Sequence, residues 1–250
     1  CLNGRNTAQY KVSVQPDKQQ NYANSLDKTG AAGVQWGKDD ADFYSVYPAD
    51  NASVQGTTFH LTMPNVQNDV LEQDGDKDVA YADMNACFMG AVSKGVANGS
   101  DVNLTYTPLS TAIRFTLRGP SSGEGQTDSE VIISKVVLKA AQPIAGDFTV
   151  DMSTPEPTVK LGSKTYNEIT LYTYYASTHG HLTLGLNDAV ELNAFVIPYE
   201  NLAVNSDWKL EVTTAEGTVY TTPLGGTGDG KMKPGKIHRF KGDLPSLPAP

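Results

Sequence analysis

The sequence is poor in several things, and each shortage removes a class of protein. Only two cysteines, Cys1 and Cys87, stand in 250 residues, so no disulfide framework holds the chain together. Cations are outnumbered: 19 Lys and Arg face 28 Asp and Glu, a net charge of −9. Nucleic acids and anionic membranes both require clustered Lys and Arg, and this balance tells against them as partners. No apolar run approaches the ~20 residues that span a bilayer, and no charged n-region with an apolar h-region opens the chain. No segment of ten residues keeps a 3.6-residue hydrophobic period. Hydrolytic signatures are missing as well, with neither a G-x-S-x-G elbow nor an H-E-x-x-H pair. Glu124, Glu130 and the scattered aspartates give no reason to select an acid/base couple. Catalysis and cofactors are therefore not expected.

What is present is β-structure. With 39% hydrophobic residues the chain can bury one large or two small cores. Its organising stretch is Val102 to Gly119, VNLTYTPLSTAIRFTLRG. Ile113, Phe115 and Leu117 share one face at period two, with Arg114, Thr116 and Arg118 on the other, which predicts a half-buried strand. Val102, Leu104 and Tyr106 predict a preceding strand that Pro108 breaks. Further short strands are expected at Tyr10 to Val14, Phe43 to Tyr47, Thr57 to Met63, Val79 to Met89, Val131 to Ala140, Asp147 to Met152, Thr158 to Leu161, Glu168 to Tyr175, His181 to Leu184, Leu192 to Ile197, Trp208 to Thr213, Thr218 to Thr222 and Lys236 to Phe240. A long polar loop, with one helical turn near Tyr22 to Leu26, is expected between the first two. Many short strands separated by Gly, Pro, Asn and Asp mean an all-β sandwich architecture. Gly119 to Ser129, GPSSGEGQTDS, has three glycines and no large apolar residue, and reads as a linker. It divides the chain into an N-terminal sandwich, 1–122, and a C-terminal one, 123–250, the alternative being that Val131 to Ala140 and Asp147 to Met152 finish the first sandwich.

Two clusters invite metal chemistry. Asp74, Asp76 and Asp78 imitate the alternate carboxylates that open a calcium loop. However, Val79 stands where the turn glycine belongs and Asn85 where the bidentate Glu would be, so an acidic hairpin tip is the better reading. His179 and His181 share a face if they lie on a strand. No third ligand accompanies them, and a polar loop is the alternative. Cys87, in MNACFM, reads as a small packed hydrophobe. Trp36 and Trp208 read as core at strand margins, whereas Tyr172, Tyr174 and Tyr175 leave at least one ring facing outward. That ring makes a surface carbohydrate-binding module the second functional reading.

The segment TPLSTAIRFTL resembles the strand, Pro-Leu, Arg and alternating apolar pattern of fimbrillin-like proteins, the pilus subunits and surface lipoproteins of Gram-negative gut and oral anaerobes. Further pieces follow in order: Trp36 to Asp40 before Phe43 to Pro48, Tyr81 to Met84, Phe195 to Pro198, and Pro234 to Phe240. The resemblance implies two transthyretin-like Greek-key β-sandwich domains in tandem. It implies a non-enzymatic structural or adhesive component of a cell-surface fimbria, whether shaft, tip or anchor, that assembles by strand exchange. Its partners would be other fimbrial subunits, surface receptors or glycans, and the outer membrane through a lipid anchor. Cys1 then reads either as the lipid-bearing residue of a lipoprotein whose export signal has been removed or as the first residue of a fragment. In the family a strand is cut away after an arginine. Arg5, a few residues before Tyr10, reads either as that processing site or as an ordinary exposed arginine. Ile237, Arg239 and Phe240, ahead of the proline-rich tail, are the candidate strand-exchange segment.

Overall fold

The computed structural model describes residues 7–13, 25–30, 33–74, 77–119, 130–154, 156–175, 180–199, 207–224 and 232–240. Cys1, Arg5, His179, Asp76 and 120–129, which is all of the expected linker except Gly119, lie outside them. No α-helix occurs among the described residues, and strands are their dominant element. In order these are β1 (Tyr10–Ser13), β2 (Ser25–Lys28), β3 (Ala41–Tyr47), β4 (Ala52–Gln55), β5 (Thr58–Met63), β6 (Val66–Asp74), β7 (Lys77–Tyr81), β8 (Met89–Val96), β9 (Thr107–Pro108) and β10 (Thr111–Arg118). There follow β11 (Val131–Lys139), β12 (Ala145–Asp151), β13 (Thr158–Tyr166), β14 (Glu168–Tyr175), β15 (Leu182–Leu184), β16 (Ala189–Val196), β17 (Lys209–Thr214), β18 (Val219–Pro223) and β19 (Ile237–Arg239). One 3-10 turn, Met84–Ala86, interrupts them. The all-β expectation is met.

Sheet order is β18-β17-β11-β14-β6-β7, with β15 also on β11; β13-β12-β5-β4; β16-β10-β19; β3-β8-β9; and β1-β2. The chain forms two compact units. The first comprises Cys1–Leu61, Met89–Thr107 and Thr149–Thr158; the second comprises Thr62–Phe88, Pro108–Phe148 and Val159–Pro250. In the first, Ala41, Tyr44, Phe59 and Leu61 are buried, and Trp36 meets Phe43 edge to face at 5.1 Å between ring centres. In the second, Phe88 and Phe148 make a similar contact at 6.0 Å, and Trp208, Ile133 and Leu138 are fully buried. Trp208 is thus core, while Trp36 is only half-buried.

Period-two reading succeeds where strands are half-buried. On β5, Phe59, Leu61 and Met63 point inward while His60 and Thr62 are exposed. On β10, Ile113, Phe115 and Leu117 are at most 2% exposed. Each such side chain contributes about 1.5 to 3 kcal/mol by leaving water.

Several expectations are corrected. Residues 102–106 alternate in burial but form no ladder, and Pro108 lies within the two-residue β9. That strand ends its sheet, where a missing N–H is tolerated. Val79 to Met89 is not one strand: β7 stops at Tyr81, and the Asp83 side chain caps the 3-10 turn by accepting from Asn85 N–H at 3.1 Å. Leu26 lies in β2 rather than in a helical turn. Strand β10 pairs on both sides with strands from the second half of the sequence, β16 and β19.

Candidate functional site: the edges of the β16-β10-β19 sheet

Of the metal candidates, Asp76 and His179 lie outside the described residues. Asp74 and Asp78 lie in the β6–β7 hairpin, where Asp74 is paired with Lys77 and Gln73 with Asp78, as a hairpin tip requires. His181 makes only an isolated bridge with Tyr174. Among the described residues no three His, Cys, Asp or Glu side chains group as a metal site. Cys87 is half-buried, and burial pushes its thiol up from the ordinary range, which makes it a poor nucleophile.

The functional interest lies instead in the edges of the sheet that holds β10. On one side β16 pairs antiparallel with all eight β10 residues, from Thr111 with Val196 to Arg118 with Ala189. On the other side β19 runs parallel and covers only three positions: Ala112 with Ile237, Ile113 with His238, and Arg114 with Arg239. Main-chain bonds flank this short ladder. Gly235 N–H donates to Ser110 C=O and Ala112 N–H to Lys236 C=O, both at 3.0 Å, while Phe240 N–H donates to Arg114 C=O at 3.1 Å. Gly235 has φ +71°, and a Cβ there would press on the Pro108 ring at 3.2 Å; glycine suits both demands. Ile237 is 49% exposed. Of the expected exchange segment, Ile237 and Arg239 therefore lie in a lightly held edge strand, and Phe240 directly follows it. Beyond Arg114, no described strand occupies that side of β10.

The opposite edge is closed by side chains. Strand β6 turns Gln67 and Asp69 inward, both at most 1% exposed. The Gln67 amide accepts from Phe195 N–H and donates to Phe195 C=O, each at 2.8 Å, and also donates to Pro64 C=O at 3.1 Å. Asp69 Oδ2 accepts from Asn193 N–H at 3.0 Å. The Asn193 side chain accepts in turn from Arg114 Nε at 2.9 Å, and Arg114 reaches Glu191 at 3.4 Å. Three main-chain groups on the free side of β16, Phe195 N–H and C=O and Asn193 N–H, are thus met from within the same compact unit. Asp69 Oδ1 and the Thr173 hydroxyl, at paired positions of β6 and β14, have no hydrogen-bond partner. Burial raises the Asp69 carboxyl to about 7, opposed by the Asn193 N–H and reinforced by Asp83.

Neither Gln67 nor Asp69 stands out in the sequence, because VQNDV places two valines at the alternate positions and suggests the opposite face. The outward face of this sheet carries tyrosines. Tyr172 and Tyr81 are well exposed, and Tyr174, Val70 and Tyr81 form one row across β14, β6 and β7.

Comparison with known proteins places these edges in context. A family model described as fimbrillin-like matches residues 4–246. Among curated proteins none matches. Two solved structures are similar at 16% identity and a TM-score of 0.47 each. One is a candidate cell adhesion protein of Bacteroides uniformis ATCC 8492, with 86% of this chain and 73% of that one covered. The other is a candidate cell adhesion protein of Bacteroides ovatus ATCC 8483, with 95% and 84% covered. With the family match running through nearly the whole chain, including every strand described above, this protein belongs to the fimbrillin-like family, whose members are structural and adhesive cell-surface proteins rather than enzymes.

Proposed function

We propose that this protein is a subunit of a bacterial surface fimbria that joins its neighbours by strand exchange at β10. The observation that carries the reading is the three-residue, parallel, exposed ladder between β19 and β10. An edge held so lightly is readily replaced by an extended segment from another subunit, whose main-chain bonds give affinity and whose alternate side chains give register. Ile237, Arg239 and Phe240 are then the segment exchanged. The same reading takes Arg5 as the processing site, Cys1 as the point of attachment to an outer-membrane lipid anchor, and Greek-key sandwiches of transthyretin type as the domains. Deleting 237–250 tests it. Electron microscopy should show filaments from the intact protein with its partner subunits and none from the truncated chain, which keeps its β-sheet signal. Filaments of normal length from the truncated chain would refute it.

A second reading, carbohydrate binding, draws on the row of tyrosines on the outward face. Tyrosine rings offer a flat apolar face to a sugar and a hydroxyl to its polar groups. Glycan-array binding by the monomer, lost on Tyr81→Ala or Tyr172→Ala, is the expected result if the face serves this purpose.

A further inference from the structure

Strand β13 ends the sheet β13-β12-β5-β4 and, at nine residues, is the longest strand at the end of any described sheet. Its main-chain direction can be worked out. Tyr166 C=O accepts from Ile144 N–H on the β12 side at 2.8 Å. A Cβ placed at Gly146 would collide with Lys164 C=O, so Lys164 also faces β12. Main-chain groups alternate in direction along a strand. Val159, Leu161, Ser163 and Thr165 therefore direct their N–H and C=O groups outward, where no described strand receives them. Most of the strand is exposed on both faces, Leu161 included. This contrasts with β16, where Gln67 and Asp69 cap Phe195 and Asn193.

The charge on β13 is also distinctive. TVKLGSKTY contains Lys160 and Lys164 and no acidic residue, within a chain of net charge −9. Lysines on an edge strand guard against pairing with a like strand. A second copy docked antiparallel about Gly162 would set Lys160 opposite Lys164, which is destabilising. The same two charges favour a strand that brings carboxylates to those positions.

We propose that the outward edge of β13 is a docking site for an extended, acidic segment of a partner protein, which adds to the sheet as a further strand. The site is separate from β10 and β19, and the proposal does not depend on strand exchange there.

The test uses the full chain and two fluorescent synthetic peptides as long as β13, one alternating Glu with Val and the other Lys with Val. Binding is read by fluorescence anisotropy. The Glu peptide should bind the wild type, and more weakly as salt is raised. Leu161→Pro removes an outward N–H at a position where an edge strand tolerates proline, and should weaken binding about tenfold or more with unchanged circular dichroism. Lys160→Glu with Lys164→Glu should reverse the preference toward the Lys peptide. The proposal fails if the Glu peptide does not bind, if it binds Leu161→Pro as well as the wild type, or if both peptides bind equally. It also fails if sedimentation reveals a dimer of this chain that Leu161→Pro abolishes, since a second copy would then be the occupant.

Discussion

The side-chain amide of Gln67 pairs with both main-chain groups of Phe195, accepting from its N–H and donating to its C=O at 2.8 Å each. An amide side chain has the donor and acceptor of a peptide unit, so at this position it stands in for one residue of a neighbouring strand. Asp69, two residues along β6, does the same more simply for Asn193 N–H, two residues back along β16. At these two residues the edge is thereby capped against another chain. On the β19 side, by contrast, no described strand pairs with β10 beyond Arg114.

Gln67→Leu keeps the volume and removes both bonds, leaving a buried N–H and C=O of Phe195 without partners. A loss of about 2 to 4 kcal/mol is expected, since each orphaned group costs roughly 1 to 3 kcal/mol. Urea unfolding should show it as a lower midpoint with an unchanged slope. A loss below about 0.5 kcal/mol would mean that water or another group takes over the edge.

Asp69 sets a pH dependence. Its carboxyl rises from 3.8 to about 7 on folding, chiefly by burial. Between those values the folded chain holds a proton that the unfolded chain has released, so this group's stabilisation is present below about pH 4 and falls away up to about pH 7. The largest cost, reached above pH 7, is on the order of 4 kcal/mol. Asp69→Asn keeps an acceptor for Asn193 N–H and offers an amide toward the unpaired Thr173 hydroxyl. The variant should unfold at higher urea than the wild type at pH 8, with the difference largely gone at pH 4. Parallel pH profiles for the two proteins would contradict the assignment.

Adjacent residues of β10 should differ sharply. Phe115 is buried, and Phe115→Ala should cost about 3 to 5 kcal/mol through lost burial and the cavity left behind. Arg114 stands on the other face. Arg114→Ala gives up its bond to the Asn193 side chain and a partly exposed pairing with Glu191, and should cost about 1 to 2 kcal/mol. Thermal melts of both variants check the ratio; equal losses would place the two side chains in similar surroundings.

How much of this was legible depends on what satisfies each face. Strands β5 and β10 are apolar inside and polar outside, so period two located them and their buried residues. Strand β6 inverts the rule: Val66 is exposed while Gln67 and Asp69 are buried. Their polar groups are satisfied by the edge of a strand more than 120 residues away in sequence, a contact no local pattern encodes. The same limit applies to pairing. Alternation identified β10 and β19 as strands but could not tell that they would lie parallel and adjacent. Pro108 was legible as a break in a central strand, yet at the end of a sheet it interrupts nothing. On the candidate site, Ile237, Arg239 and Phe240 were legible as an extended segment, whereas the caps on the opposite edge were not.

The last prediction concerns the stretch from Gly119 to Ser129. Its three glycines and small polar residues make it the expected first point of attack for a nonspecific protease. The strands on either side give the outcome of that cut a definite meaning. Strand β10 ends at Arg118 and is paired along its whole length with β16, and more briefly with β19, both of which follow the cut. Eight paired positions and the burial of Ile113, Phe115 and Leu117 resist separation. The nicked protein should therefore run as one species on a gel-filtration column and as two fragments on a denaturing gel. Independent sandwiches of 1–122 and 123–250 would instead part under native conditions, each with its own unfolding transition. Separation of folded halves would show that the long β10–β16 ladder does not hold the chain together, and would support the division at the glycine-rich stretch.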